Sequence, residues 1–187
     1  MYQSKWVYYA DFAVYPIVAA ALAGAAFRGA HSGFLGVFLL SCLAGGAAWT
    51  LFEYLMHRFI FHAVPGIAQM HGRHHADPTA FVGTPFWISL SGFALVVFVP
   101  LWAIAGREVA CGGSAGVMLG FTWYITVHDA IHRRPLKRHS LLYRVMLRHT
   151  CHHGRQEGNY GVTTEFWDRV LGTAIDPVRR EARPARS

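Results

Sequence analysis

Long runs of apolar residues alternate with short polar segments along the chain. Four runs approach the length of about 20 residues that a helix needs to cross the hydrocarbon core of a bilayer. They cover residues 7–27, 34–56, 86–105 and 109–127. The fourth run contains several glycines, which lower its hydropathy but suit close packing between helices. The pattern predicts an all-α, polytopic membrane protein with four transmembrane helices.

Composition agrees with a membrane protein. Charged residues make up only 14% of the chain, whereas they make up about a quarter of an ordinary soluble domain. The 187 residues are enough for one domain. We expect residues 1–187 to form a single membrane-embedded domain, with residues 179–187 as a disordered basic tail.

The distribution of positive charge predicts how the protein lies in the membrane. With four spans, one side holds the N-terminus, the loop 57–85 and everything after residue 127. That side carries all but Arg28 and Arg107 of the 17 lysines and arginines, so the positive-inside rule makes it cytoplasmic. The sequence has no basic-aromatic platform or glycine-rich phosphate loop, so we expect no nucleic acid partner.

Histidine is the abnormal residue, since the chain has 12 histidines and only 10 acidic residues. Eleven lie on the predicted cytoplasmic side, and ten of these form a repeated plan: a pair after two spans and then a triplet H-x-x-H-H. The first pair and triplet are His57, His62, His71, His74 and His75, and the second are His128, His132, His149, His152 and His153. We therefore expect a histidine-rich helical region that caps the four spans.

Helical geometry makes these spacings useful for binding metal. Residues at i, i+3 and i+4 share a helix face, so each triplet can point at one place. His57 and His62 are five residues apart, so this pair needs either a bend near Arg58 or two different targets. The ten imidazoles exceed the roughly six positions of an octahedral ion, which predicts two histidine-ligated transition metals.

The remaining candidate residues have less specific signals. We interpret His31 and His139 as bystanders and the three widely spaced cysteines as inert thiols. Glu53 lies one turn before His57 and either orients a histidine or pairs with an arginine such as Arg58 or Arg73. Asp129, beside His128, has the same two alternatives.

Several segments together resemble the fatty acid hydroxylase/sterol desaturase superfamily of membrane di-iron enzymes. The resemblance covers roughly residues 49–173, and it rests on EYLMHRFIFH, HGRHHADP, HDAIH, HTCHH and GNYGVTTEFWDRVLGT in this order. The first two motifs are most similar to the fatty acid 2-hydroxylases of sphingolipids. Residues 127–129 and the short length also resemble bacterial carotenoid hydroxylases.

The resemblance implies a site that faces the cytoplasm and uses O2 to oxidise a C–H bond of a membrane lipid. It implies two iron ions. Zinc could bind the same ligands in their place but cannot supply redox chemistry. The ten paired and tripled histidines would be the ligands. Many relatives carry a further histidine after the last pair, whereas residues 154–159 have none. The sphingolipid enzymes commonly carry a fused cytochrome b5 domain, for which we find no room here, so we expect a separate reductase or electron carrier.

Three functions follow as alternatives. The leading one is hydroxylation of a lipid acyl chain, and the second is hydroxylation or desaturation of a carotenoid or sterol-type ring. The third is metal binding or transport without catalysis, which the scarcity of ionisable residues inside the spans disfavours.

Overall fold

A computed structural model describes residues 1–28, 33–155 and 157–176, and this part of the chain is helical with no strand beyond an isolated bridge between Tyr2 and Val82. The all-α prediction is confirmed for these residues. His31 and the tail 179–187 lie outside the described residues. The helices are α1 (Lys5–Phe27), α2 (Phe34–Leu55), α3 (Ile67–Ala76), α4 (Phe86–Phe93), α5 (Val99–Arg133), α6 (Leu141–Arg155) and α7 (Phe166–Val170).

Two π-helical segments extend the long helices. Met56–Phe61 continues α2, and Ala94–Phe98 joins α4 to α5. Among the described residues, three continuous helical segments are therefore long and apolar enough to cross a membrane. They are Lys5–Phe27, Phe34–Phe61 and Phe86–Arg133. The sequence pattern predicts four spans where the structure has three such segments, because the last two predicted runs fall in one segment.

That third segment folds back on itself at Gly106. Gly106 has φ 81° and ψ 178°, a conformation that only glycine adopts readily. The rings of Phe93 and Phe121, on either side of it, have centroids 5.5 Å apart. In a straight helix they would be about 40 Å apart. The segment thus forms two arms, which contain the predicted runs 86–105 and 109–127.

Helices α2 and α5 approach each other closely through glycines. A Cβ added to Gly116 would lie 2.0 Å from the carbonyl oxygen of Cys42, and one added to Gly45 would lie 2.1 Å from that of Gly113. This is the close packing that the glycines of the fourth run predict. Because α2 leads to His57 and α5 ends near His132, the contact sets the distance between the two histidine pairs.

Candidate metal centre

Nine of the ten predicted histidines form two compact groups. Within each group, one ring nitrogen from every residue lies within 4.8 Å of those from all the others. Group A is His57, His62, His71, His75 and His152, and group B is His74, His132, His149 and His153. The tenth, His128, adjoins group B, since its ring centroid lies 4.6 Å from that of His74 and 4.9 Å from that of His149. His139 is exposed and belongs to neither group.

The π-helical segment after α2 brings His57 and His62 together. A π-helix closes its hydrogen bonds between residues i and i+5, so residues five apart return to one side of the helix. The two rings are stacked, with centroids 5.4 Å apart and an angle of 15° between their planes. Of the two alternatives for this pair, two different targets is therefore wrong, since both side chains belong to group A. The helix brings them together by a widened π-helical turn and not by a sharp bend.

The expectation that each triplet points at one place is wrong. In the first triplet His71 and His75 belong to group A while His74 belongs to group B. The second triplet mirrors it, with His149 and His153 in group B and His152 in group A. Residues i and i+4 differ by about 40° of rotation around a helix, whereas i+3 and i+4 differ by about 100°. Each triplet therefore serves both groups, and α3 and α6 tie them together.

Several ring nitrogens face one another at the distances expected around a metal ion. The Nε2 atom of His71 lies 3.1 Å from that of His57 and 3.0 Å from that of His75. In group B the Nε2 atoms of His149 and His153 are 3.0 Å apart. Imidazole nitrogens bound at about 2.0–2.1 Å to one ion lie about 3 Å from their neighbours. Both groups can hold a metal ion.

Burial keeps these imidazoles neutral, as a metal ligand must be. Burial and the neighbouring imidazoles lower the pKa of His74 to about 3 and that of His153 to about 2. Burial lowers the pKa of His149 well below its ordinary value of 6.5. The Nε2 atoms of His74 and His132 are buried and have no hydrogen-bond partner among the described residues. A metal ion would satisfy such lone pairs.

Carbonyl oxygens of the segment after α6 fix the orientation of two group A rings. The Nδ1 atom of His57 is 2.6 Å from the carbonyl oxygen of Tyr160, and that of His152 is 2.8 Å from the carbonyl oxygen of Gly158. A carbonyl oxygen can only accept a hydrogen bond, so each Nδ1 must carry the proton. Each Nε2 is then free to bind a metal ion. Sequence reasoning missed these two backbone carbonyls, because every residue has a carbonyl and the sequence does not show which ones face a histidine.

Buried carboxylates hold this segment in place. Glu53 accepts hydrogen bonds from the Val162 amide at 2.6 Å and from the Thr163 amide and hydroxyl. Among the described residues it bonds to this segment and not to a histidine or an arginine, so it matches neither alternative considered for it. Asp129 matches one of its alternatives, since it pairs with Arg133 at 2.9 Å.

Asp168 is the second anchor of the segment and carries a prediction. Its carboxylate accepts from the amides of Tyr160 and Gly161 and from the hydroxyl of Thr173. An Asp168→Asn change turns one acceptor oxygen into a donor that opposes an amide N–H. We expect a loss of roughly 2 kcal/mol of stability and faster release of metal from group A to a chelator. Thermal unfolding and chelator kinetics measure the two effects.

Asp77 provides the matched control for this change. It is exposed, and its Oδ1 accepts from the amide and hydroxyl of Thr79. An asparagine keeps that oxygen, so Asp77→Asn should leave both measurements unchanged. Equal effects of the two changes would contradict the anchoring role of Asp168.

A cavity of about 520 Å³ opens beside both histidine groups. It is lined by His57, His71, His74, His128 and His132, and on its other walls mainly by apolar and aromatic side chains. A second, apolar cavity of about 590 Å³ lies between α2 and the chain around Gly106. The two cavities share four wall residues, which are Trp49, Phe52, Val96 and Val97. An elongated apolar molecule can therefore reach the histidines from between the helices.

Comparisons with known proteins agree with this geometry. The profile of the fatty acid hydroxylase family matches residues 42–173. The chain is 34% identical to the fatty acid 2-hydroxylase of Rattus norvegicus over 78% of its own length and 41% of that protein. It is 31% identical to the dihydroceramide fatty acyl 2-hydroxylase of Arabidopsis thaliana over 69% of its own length and 58% of that protein.

A solved structure of full-length scs7p, in which only the hydroxylase domain is visible, has the same fold. The TM-score is 0.77 at 24% identity, over 91% of this chain and 67% of that one. The chain spans about two fifths of the length of the first mammalian relatives that it matches. The residues that the family profile matches, 42–173, include every histidine of groups A and B.

Proposed function

The chain belongs to the fatty acid hydroxylase family, and from this premise we propose that it hydroxylates the acyl chain of a membrane lipid. The substrate R–H and O2 would take up two electrons and two protons to give R–OH and water. The observation that carries the proposal is the pair of all-imidazole groups in the wall of one cavity. The names of the relatives favour an acyl chain over a carotenoid or sterol ring.

Two iron ions fit the two groups. Imidazole suits iron among the transition metals, and the nearly equal Nε2 separations in both groups suit ions of one kind. Group A would hold one ion with five histidines, and group B would hold the other with four and His128 as the fifth. Iron supplies the redox chemistry that activates O2, which zinc lacks.

The repeated plan of the sequence supports His128 as the tenth ligand. Group A receives a pair, an i, i+4 pair and one residue from the other triplet. Group B receives the same set only when His128 is counted with His132. The His128 ring already lies beside those of His74 and His149, so His128 would complete group B as its fifth histidine.

The chain's own residues would bind and orient the substrate. The apolar walls around Trp49 and Phe52 would hold the acyl tail, and the second cavity would take its far end. Burial of the histidine groups excludes bulk water from the reacting carbon. The hydrogen bonds from His57 and His152 to the carbonyl oxygens of the segment after α6 would keep both rings in place during turnover.

Four membrane crossings with the histidines on the cytoplasmic side complete the proposal. The reversal at Gly106 supports two crossings by the third helical segment. The excess of positive charge on the histidine side supports a cytoplasmic site. There a separate reductase or electron carrier would deliver the two electrons.

Lipid analysis of an expressing host tests the proposed function. With iron and a one-electron carrier supplied, we expect a membrane lipid to gain the mass of one oxygen. His152→Ala should abolish this product, whereas the exposed His139→Ala should not. An unchanged lipid profile from an iron-loaded protein would contradict the proposal, and loss of two hydrogens would show a desaturase.

A further inference from the structure

Outside the histidine groups, three residues of the cavity wall carry a buried hydrogen-bond donor with no partner among the described residues: Arg133, Gln3 and Trp49. The Trp49 indole lies beside the Glu53 carboxylate, which leaves Nη2 of Arg133 and Nε2 of Gln3. Leaving a buried polar group without a partner is costly, and a charged group costs more than a neutral one. Neither group belongs to the histidine clusters, so the metal ions do not account for them. Two unsatisfied donors on residues that line a cavity indicate a ligand with an acceptor oxygen.

The Arg133 guanidinium is held rigidly beside group B. Its Nε atom donates to Asp129 at 2.9 Å, and its carbon lies 4.3 Å from the centroid of the Phe81 ring and 5.3 Å from that of Tyr8. It follows His132 directly on α5. With one edge engaged by Asp129 and the faces against aromatic rings, Nη2 is left to bind a cavity ligand.

Gln3 belongs to the same corner of the cavity. The backbone N–H of Gln3 donates to the carbonyl oxygen of Phe81 at 2.8 Å, which ties Gln3 to the residue under the Arg133 guanidinium. Phe81 thus links a fixed charged donor on Arg133 to a neutral donor on Gln3. The rest of the cavity is mainly apolar, so this corner distinguishes the polar end of a lipid from its tail.

We propose that Arg133, assisted by Gln3, binds the carbonyl oxygen of the acyl group and so sets which carbon lies over the histidine groups. This inference rests on the proposed function, which it deepens. A bound carbonyl would hold the neighbouring carbons beside His132 and direct the tail along the apolar walls. Arg133 and Gln3 are positioning residues that set where along the chain the hydroxyl is placed. This corner of the cavity is thus a subsite for the carbonyl group. It requires an acyl ester or amide and disfavours an ether-linked or hydrocarbon chain.

A matched pair of neutral lipids tests the subsite without turnover. The ester 2-hydroxyethyl octadecanoate and the ether 2-(octadecyloxy)ethanol differ only in the carbonyl. Binding is measured under anaerobic conditions with the metal-loaded protein. We expect the wild type to bind the ester roughly 10- to 100-fold more tightly, as a hydrogen bond from a charged donor allows.

Three variants complete the test. Arg133→Lys keeps a positive charge for Asp129 but lacks the second N–H of the fork, so it should bind ester and ether nearly equally. Gln3→Met should reduce the preference partly, and the exposed Arg134→Lys should leave it at the wild-type value. In turnover, Arg133→Lys should spread the hydroxyl over several carbons of the chain.

The outcomes separate the subsite from the proposed function. Equal binding of ester and ether by the wild type overturns the subsite, as does a full preference in a folded Arg133→Lys variant. Should that variant fail to fold, the wild type and Gln3→Met decide the question. A clear ester preference in a protein that oxidises no lipid would support the subsite and overturn the proposed hydroxylase.

Discussion

A Gly116→Ala change should unfold the contact between α2 and α5 and empty both metal groups. The added Cβ would lie 2.0 Å from the Cys42 carbonyl oxygen and 2.8 Å from the Gly46 nitrogen, which are backbone atoms that no side-chain movement relieves. Overpacking of this kind costs about 3 kcal/mol or more. Because α5 carries His132 and α2 leads to His57, separating the helices moves the histidines apart. Thermal unfolding in detergent and metal analysis measure the effect.

Gly24 supplies the control for that experiment. It lies in α1, and a Cβ added there has nothing within 4 Å. Alanine favours a helix over glycine by about 1 kcal/mol, so Gly24→Ala should be as stable as the wild type or slightly more stable. If Gly116→Ala unfolds at the wild-type temperature and retains its metal, the helices do not approach as closely as described.

Much of the fold follows from properties that the sequence displays directly. Apolar runs of membrane-spanning length predict the helices, and the glycines of residues 109–127 predict their close packing. Gly106 is one of many glycines, so the sequence does not show that this one reverses the chain. The reversal becomes visible only in the packing of the two arms, where Phe93 contacts Phe121.

The histidines that the structure brings together could be predicted as a set but not by group. Side-chain identity and helical spacing select all nine histidines of groups A and B, together with His128. Assignment to a group depends on helix rotation relative to the partner helices, which residue spacing alone does not contain. The π-helical turn that joins His57 to His62 and the carbonyl of Tyr160 are likewise backbone features that side-chain patterns do not reveal.

Pairs of histidine substitutions should show that each triplet serves both groups. His75 and His152 come from different triplets but share group A, so the double change to alanine should remove one metal and leave about one per chain. His74 and His75 are adjacent in one triplet but belong to different groups, so the same double change should remove both metals. Either variant should lose activity by at least about 100-fold, since a vacant ligand position disables the site.

Metal content per folded chain, measured after gel filtration, distinguishes this arrangement from triplets that each bind one ion. In that case His74→Ala with His75→Ala would retain one metal, because the second triplet would be intact, and His75→Ala with His152→Ala would lose both. The observed geometry requires the reverse order, because the 100° between adjacent helical positions sends neighbouring side chains to different groups. His139→Ala, outside both groups, should retain the wild-type metal content.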